Sequence, residues 1–423
     1  MDNMLPSSND INKSDLGQSV LEKSSRPSTS SIPTSFSAKQ ATILLTGSTG
    51  SLGTYLLDEL LRSPLVKNIV VLNRNSNALS AQASSYASRG LQSDFSRVAF
   101  HTWTPASATL GLSAEVYDTL RSSITHMIHN AWPVNFNASF SFFAPSINGV
   151  RNLIALAHAS TLPRKPSIFF ISSISVAANW SGVPGTRLRV PEQPIEDWRV
   201  ARMGYGQSKL VAERLLVEAS KTGGMNVAIF RVGQVAGPVL RGEKGVWNQR
   251  EWLPSLVRSS QTLGVLPDSL GPIDEVQWMP VDLLARAAVE MLFVDPEQKK
   301  RRVHKNRVGS VKIWHGVNPR IARWSSLLPT IRGMLGGDVT IVTLGEWVEA
   351  VRVASETDLD KNPAVRLLDF FENLEEKARR FPDVSAAMLD MKHTVKQSKT
   401  IAEMQIVNDE WMRLWMRQWE LQA

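Results

Sequence analysis

The chain has 423 residues, 43% hydrophobic and 20% charged, with 47 Lys and Arg against 39 Asp and Glu for a formal charge of +8. That length and balance suit a soluble globular protein with a sizeable core and allow attraction to an acidic partner, but decide nothing about fold. The absence of cysteine excludes disulfides, thiolate metal sites and a cysteine nucleophile.

Residues 1–40 are rich in Ser, Pro and Asn, and they read as a disordered arm. They hold no apolar signal core, and Asp2, Asp10, Asp15 and Glu22 argue against a transit peptide, so the cytosol is the expected compartment. No apolar run approaches the length that spans a bilayer, so no membrane association is expected.

The apolar run Ala41–Thr46 predicts a buried parallel strand. It feeds Gly47-Ser48-Thr49-Gly50-Ser51-Leu52-Gly53 and then a helical pattern at Tyr55, Leu56, Leu57, Leu60 and Leu61. In a strand–turn–helix of this kind Gly47 permits the tight turn, Gly50 admits a pyrophosphate to the backbone, and Gly53 allows close packing. The helix start then offers free N–H groups to the phosphates. A second strand over 68–72 ends at Asn73-Arg74, with no carboxylate between residues 70 and 78. A guanidinium matches a 2′-phosphate that an acid would repel, which predicts NADPH over NADH.

Strands follow over 97–101 and 124–129, the latter running into Asn130-Ala131-Trp132. His126 and His129 lack helical metal-pair spacing and read as packing or hydrogen-bonding residues, and no metal site is expected. A helix over 147–159 precedes a fifth strand over 167–171, which ends in Ser172-Ser173-Ile174-Ser175, where ligands of open parallel sheets lie. Next comes Gly204-Tyr205-Gly206-Gln207-Ser208-Lys209 at the head of a helix. It places a phenol and an ammonium on one face, one turn apart. An ammonium near a phenol favours phenolate, so this pair is a candidate for proton movement. After a sixth strand over 226–232 the alternation predicts a doubly wound α/β sheet of Rossmann type.

Residues 234–280, rich in Gly, Pro and Trp, read as an irregular segment, and 311–314 as one further strand. The basic run at Lys299, Lys300, Arg301, Arg302, His304, Lys305 and Arg307 reads as a solvated loop. No recognised module or aromatic platform accompanies it, so no nucleic-acid binding is expected. The rest is mostly helical, and Trp411, Trp415 and Trp419 form a stripe suited to core packing. The predicted division is the arm at 1–40, an NADP-binding domain at 41–235, and a smaller, mostly helical substrate-binding region at 236–423. Residues 274–295 of that region are expected to pack back on the first.

With these motifs in order the sequence resembles the extended short-chain dehydrogenase/reductases. More narrowly, it is similar to the thioester reductase domains of fungal nonribosomal-peptide-synthetase-like enzymes and carboxylic acid reductases. The more specific segments are Thr46 to Gly53, His129-Asn130-Ala131-Trp132-Pro133-Val134-Asn135-Phe136 and Trp278-Met279-Pro280-Val281-Asp282. The resemblance implies a catalytic set of Ser173, Tyr205 and Lys209. NADPH would be held by 47–53, Arg74, Asn130, Tyr205 and Lys209. The substrate would be an acyl, polyketide or peptide chain on the phosphopantetheine arm of a carrier protein, released as an aldehyde or alcohol in secondary metabolism. Ser173 and Tyr205 would serve the developing oxyanion, and Lys209 the nicotinamide ribose and the phenol pKa. The family usually carries an acid after the third strand to contact adenine; here the segment reads His101-Thr102-Trp103-Thr104-Pro105. No adenylation or carrier domain precedes Ala41, so the chain is either a free-standing reductase acting in trans or a segment of something larger, and Met1 and the serine-rich arm favour the first; a monomer is expected. The alternatives are another extended reductase, acting on fatty acyl-CoA, sugars or steroids, and a non-catalytic NADP(H) sensor.

Overall fold

Seven parallel strands carry the molecule, in the spatial order β7-β6-β5-β4-β1-β2-β3. They are β1 (Ala41–Thr46), β2 (Val66–Asn73), β3 (Val98–Thr102), β4 (His126–His129), β5 (Ser167–Ser173), β6 (Val227–Val232) and β7 (Val311–Gly316). The computed structural model describes residues 40–421 except 93, 184, 186–188, 295–308, 355–358 and 381–386. The serine-rich arm up to residue 39 and the basic run at 299–307 thus lie outside the described residues.

The strands are near-continuous apolar runs because both faces are covered. Side chains alternate between two cores, with Ile43, Leu45, Phe169, Ile171 and Phe230 on one face and Leu44, Ile168, Phe170 and Ile229 on the other. Helices α1 (Ser51–Arg62) and α7 (Val281–Leu292) cover the first face, where Arg286 pairs with Glu59 across them. Helices α4 (Ala144–His158) and α5 (Gly204–Gly223) cover the second. The remaining named helices are α2 (Ala78–Ser88), α3 (Ala114–Ser123) and α6 (Trp252–Leu263).

Two readings change. The further strand extends to Gly316 and pairs with β6 in register, Val311 against Val227 through Gly316 against Val232. Residues 234–280 are less irregular than their composition suggests, because they contain α6. Its proline, Pro254, sits in the first turn, where no intrahelical N–H is required. Trp411, Trp415 and Trp419 are all buried, Trp415 and Trp419 meeting Trp247 edge-on or tilted, Trp415 also meeting Trp278, and Trp411 packing on Trp415.

Strand order reverses between β1 and β4, whose ends align with Thr46 opposite His129. Such a reversal opens a crevice at the carboxyl ends of the strands. The turn after β1, the segment after β4 and the end of β5 all meet there.

Candidate active site

The turn after β1 is shaped by backbone. Gly47 has φ +71°, and a Cβ there would meet Ala131 at 3.0 Å. A Cβ on Gly53 would fall 1.9 Å from the Gly47 carbonyl oxygen, so only glycine lets α1 begin here. Gly50 has room, since a Cβ there would meet only the Gly47 oxygen, at 3.6 Å. It caps α1 without a side-chain hydrogen bond, and the first turn, from Ser51 and Leu52 onward, holds no acidic residue. The leading N–H groups of this twelve-residue helix therefore lack a side-chain cap and keep their positive end.

Neighbouring side chains fix the turn. Asn73 donates to the Ser48 hydroxyl (2.9 Å) and accepts from Thr49 (3.4 Å). Asn130 donates through Nδ2 to the Gly47 carbonyl (3.1 Å). Thr46 Oγ1 accepts from the backbone N–H of Asn130 and Ala131 and lies 2.9 Å from His129 Nδ1. With both acceptances used, the Thr46 hydroxyl donates to Nδ1, which leaves the His129 proton on Nε2. Burial and the nearby Lys209 hold His129 down at about 3, so it is a neutral packing residue. No group of three metal-ligating side chains occurs among the described residues. Arg74 emerges just past β2, exposed and without an ion-pair partner among the described residues. Room at Gly50, an uncapped helix start and an uncommitted guanidinium beside them fit a dinucleotide carrying an extra phosphate.

The other half of the site is buried side chains. Ser173 ends β5, and its Oγ lies 2.5 Å from Ser175 Oγ and accepts from the Ser175 N–H. Tyr205, in the first turn of α5, has its phenol beside the Ser173 side chain. Two glycines make this approach possible. A Cβ on Gly204 would lie 2.5 Å from the Ala138 carbonyl oxygen, and one on Gly206 would lie 2.4 Å from that of Ser175. Lys209 is 2% exposed, donates to the Ile171 carbonyl (2.7 Å), and lies 4.5 Å from the Trp132 ring centre and 4.6 Å from that of Phe170.

Ser173, Tyr205 and Lys209 are thus together, but the expected pull of Lys209 on the phenol is absent. Burial pushes Tyr205 up to about 12, with the Ser173 hydrogen bond opposing. Burial also drives Lys209 well below the ordinary lysine value, with the Glu213 charge opposing. The ammonium group bonds the Ile171 carbonyl and faces π-clouds, 5.9 Å from the Tyr205 ring centre. The phenol is therefore held in its protonated form, as a proton donor requires.

Several participants escape a sequence reading. Trp132 and Phe170 form the aromatic seat of Lys209 from two distant segments. Glu213 accepts from Ser172 Oγ (2.6 Å) and pairs with the fully buried Arg231 (2.7 Å). Its position four residues after Lys209 was the available signal.

Against known proteins, a family model described as "Male sterility protein", an NAD-binding domain, matches residues 45–288. The chain belongs to that family. It is an oxidoreductase with a nicotinamide-dinucleotide-binding domain. This male sterility family member is 38% identical over 380 residues to the carboxylic acid reductase of Neurospora crassa, covering 89% of this chain and 35% of that protein. It is 33% identical over 411 residues to adenylate-forming reductase Nps10 of Heterobasidion annosum, covering 92% and 35%. The chain therefore spans about a third of the length of these relatives. Among solved structures it superposes on the terminal R domain of the myxalamid PKS-NRPS pathway with a TM-score of 0.71 at 24% identity, covering 90% and 91% of the two chains. That likeness bears on the fold, which the two share. No described helix is long and apolar enough to cross a membrane.

Proposed function

We propose that this protein is an NADPH-dependent thioester reductase that releases an acyl chain from the phosphopantetheine arm of a carrier protein as an aldehyde. The observation that carries the reading is the buried pair of Ser173, at the end of β5, and Tyr205, at the start of α5, beside Lys209. Carboxylic acid reductase and adenylate-forming reductases among its relatives support that chemistry.

Bound NADPH supplies a hydride to the thioester carbonyl. The turn at 47–53, Arg74, Asn130 and Lys209 would hold it, Arg74 at the 2′-phosphate and Lys209 at the nicotinamide ribose. Ser173 donates a hydrogen bond to the carbonyl oxygen and strengthens it as negative charge gathers there. Tyr205, kept neutral by burial, gives its proton to that oxygen, completing a thiohemiacetal. When the carbon–sulfur bond breaks, the hydroxyl proton returns to the Tyr205 oxygen and the carrier leaves as a thiol after taking up a proton. The balance is one thioester, one NADPH and one proton giving an aldehyde, a thiol and NADP+. Burial around the Tyr205 hydroxyl excludes water from this exchange.

The test is NADPH oxidation by the full chain with pantetheine-linked acyl thioesters, with the product identified by mass spectrometry. Formation of aldehyde and free thiol is expected. Oxidation of NADPH only with sugar-nucleotide or steroid substrates would transfer the protein to another branch of the same fold.

A further inference from the structure

We propose that Glu213 is a positioning residue that acts through Lys209, as the fixed countercharge that keeps the buried Lys209 side chain an ammonium. Its value to the reaction rests on the reading of Lys209 as the residue at the nicotinamide ribose.

Tyr205, Lys209 and Glu213 follow one another at four-residue spacing along α5 and share one buried face of it. They meet three successive residues at the end of β5. Tyr205 lies beside Ser173, Lys209 donates to the Ile171 carbonyl (2.7 Å), and Glu213 accepts from Ser172 Oγ (2.6 Å). The carboxylate therefore belongs to the same helix–strand contact as the two groups that face the reaction. Lys209 and Glu213 act on each other across a helical turn rather than through a direct bond, since the ammonium is taken by Ile171 and the carboxylate oxygens by Ser172 and Arg231.

Glu213 cannot swing away. Arg231 donates to it from Nε (3.0 and 3.2 Å) and from Nη2 (2.7 Å). Arg231 sits opposite Ser172 on one side and His315 on the other, so the three form a row across β5, β6 and β7 beneath the carboxylate. The remaining guanidinium N–H groups go to the Pro191 and Gln193 carbonyls and to His315 Nε2 at 3.5 Å. His315 in turn donates through Nδ1 to the Asp390 carbonyl (2.7 Å). A clamp alone would need no charge on the lysine side of the helix, yet this carboxylate is placed one turn from Lys209 in a region without water to screen it.

The groups packed around Lys209 leave that task to Glu213. From β4 and the segment after it come His129, held neutral at about 3, and the Trp132 ring; from β5 come Phe170 and the Ile171 carbonyl. From α5 comes Tyr205, held protonated by burial at about 12. His315, beyond Arg231, is also held neutral, at about 3, by burial and the guanidinium. Burial pushes Lys209 towards the neutral amine, and among the described residues the Glu213 charge opposes it.

The test reads Lys209 directly, in the full chain without cofactor. Lysine is isotope-labelled at Cε, the Lys209 signal is assigned by its loss in Lys209→Met, and its titration midpoint is followed by NMR. Glu213→Gln keeps the shape and removes the negative charge, so the midpoint should fall by about one pH unit or more. If the unpartnered Arg231 prevents that variant from folding, Glu213→Gln/Arg231→Met removes both charges together and carries the same expectation. Arg231→Lys gives up the bonds to Pro191 and Gln193 but leaves a charged carboxylate with a cationic partner. It should lower thermal stability and leave the midpoint at its wild-type value. A midpoint unmoved by the loss of the Glu213 charge, or moved as far by Arg231→Lys, overturns the proposal, because Glu213 is then part of the clamp alone. NADPH binding, followed by calorimetry at a pH between the wild-type and variant midpoints, separates this inference from the reading it rests on. A fall of about tenfold in affinity upholds both. A lowered midpoint with unchanged NADPH affinity upholds the countercharge and removes Lys209 from the ribose.

Discussion

The two sides of the crevice are built on opposite principles. The turn after β1 works through backbone: glycines at 47, 50 and 53 set its shape, and the polar side chains around it serve mainly to hold peptide groups still. The Tyr205 side works through side chains whose chemistry is set by burial, with Lys209 and Arg231 among the most enclosed groups in the molecule. Binding a constant phosphate scaffold asks for shape. Moving a proton at neutral pH asks for controlled ionisation, which requires a dry environment.

The comparison breaks most visibly at the phenol. Tyr205→Phe should lower kcat by about a hundredfold to ten-thousandfold while leaving NADPH affinity and thermal stability near wild type. A loss under about threefold in single-turnover assays would remove Tyr205 from the proton-donor role. Next is the buried pair behind it. Arg231→Met leaves Glu213 charged and unpartnered apart from Ser172, and should cost about 3–5 kcal/mol by denaturant titration. Adding Glu213→Leu should restore much of that. The pair clamps α5 to β6, and Arg231 also donates to the carbonyls of Pro191 and Gln193.

An alkaline titration probes burial directly. Folding raises the Tyr205 pKa from 10.0 to about 12. Its contribution is therefore complete below pH 10 and is lost as pH climbs through 12, because the unfolded chain releases its proton first. The stability difference between wild type and Tyr205→Phe should shift by about 3 kcal/mol across that window. A difference independent of pH would mean the phenol is wetter than the structure shows.

On the backbone side, Gly53→Ala should destabilise by about 1–3 kcal/mol and weaken dinucleotide binding, because the added methyl collides with the Gly47 carbonyl. Both should show in one thermal-shift series with and without NADPH. The smallest expected effect is at Arg74. Removing one charged hydrogen-bond donor should raise the KM for NADPH about tenfold and leave that for NADH nearly unchanged. An equal rise for both cofactors would place Arg74 away from the 2′-phosphate.

The backbone side was far more legible in the sequence than the side-chain side. Parallel strands are apolar runs with sharp ends, and a glycine triplet between strand and helix is a local pattern, so the order of elements and the turn could be read residue by residue. Helix α6 was hidden because Trp252-Leu253-Pro254 looks like a breaker, and only placement in the first turn makes that proline harmless. Ser173, Tyr205 and Lys209 were legible as a set, but their ionisation was not. Whether a lysine beside a tyrosine acts as a charge depends on what surrounds it, and here Trp132 arrives from the segment after β4 and Phe170 and the Ile171 carbonyl from β5. The same holds for the Phe136–Tyr205 contact, made by residues 69 positions apart whose meeting depends on Gly204 having no side chain.

Strand β7 has a practical consequence for anyone who cuts this gene. The segment shared with the family ends at residue 288, inside α7, whereas β7 lies at Val311–Gly316. A fragment stopped at that boundary would leave β6 as a naked sheet edge, its outward N–H and C=O groups open to pairing with a second molecule. It would also strip His315 from beside Arg231, and the last third of α7 from over α1. Such a fragment should be sticky and short-lived, so the folding unit is longer than the segment matched to the family.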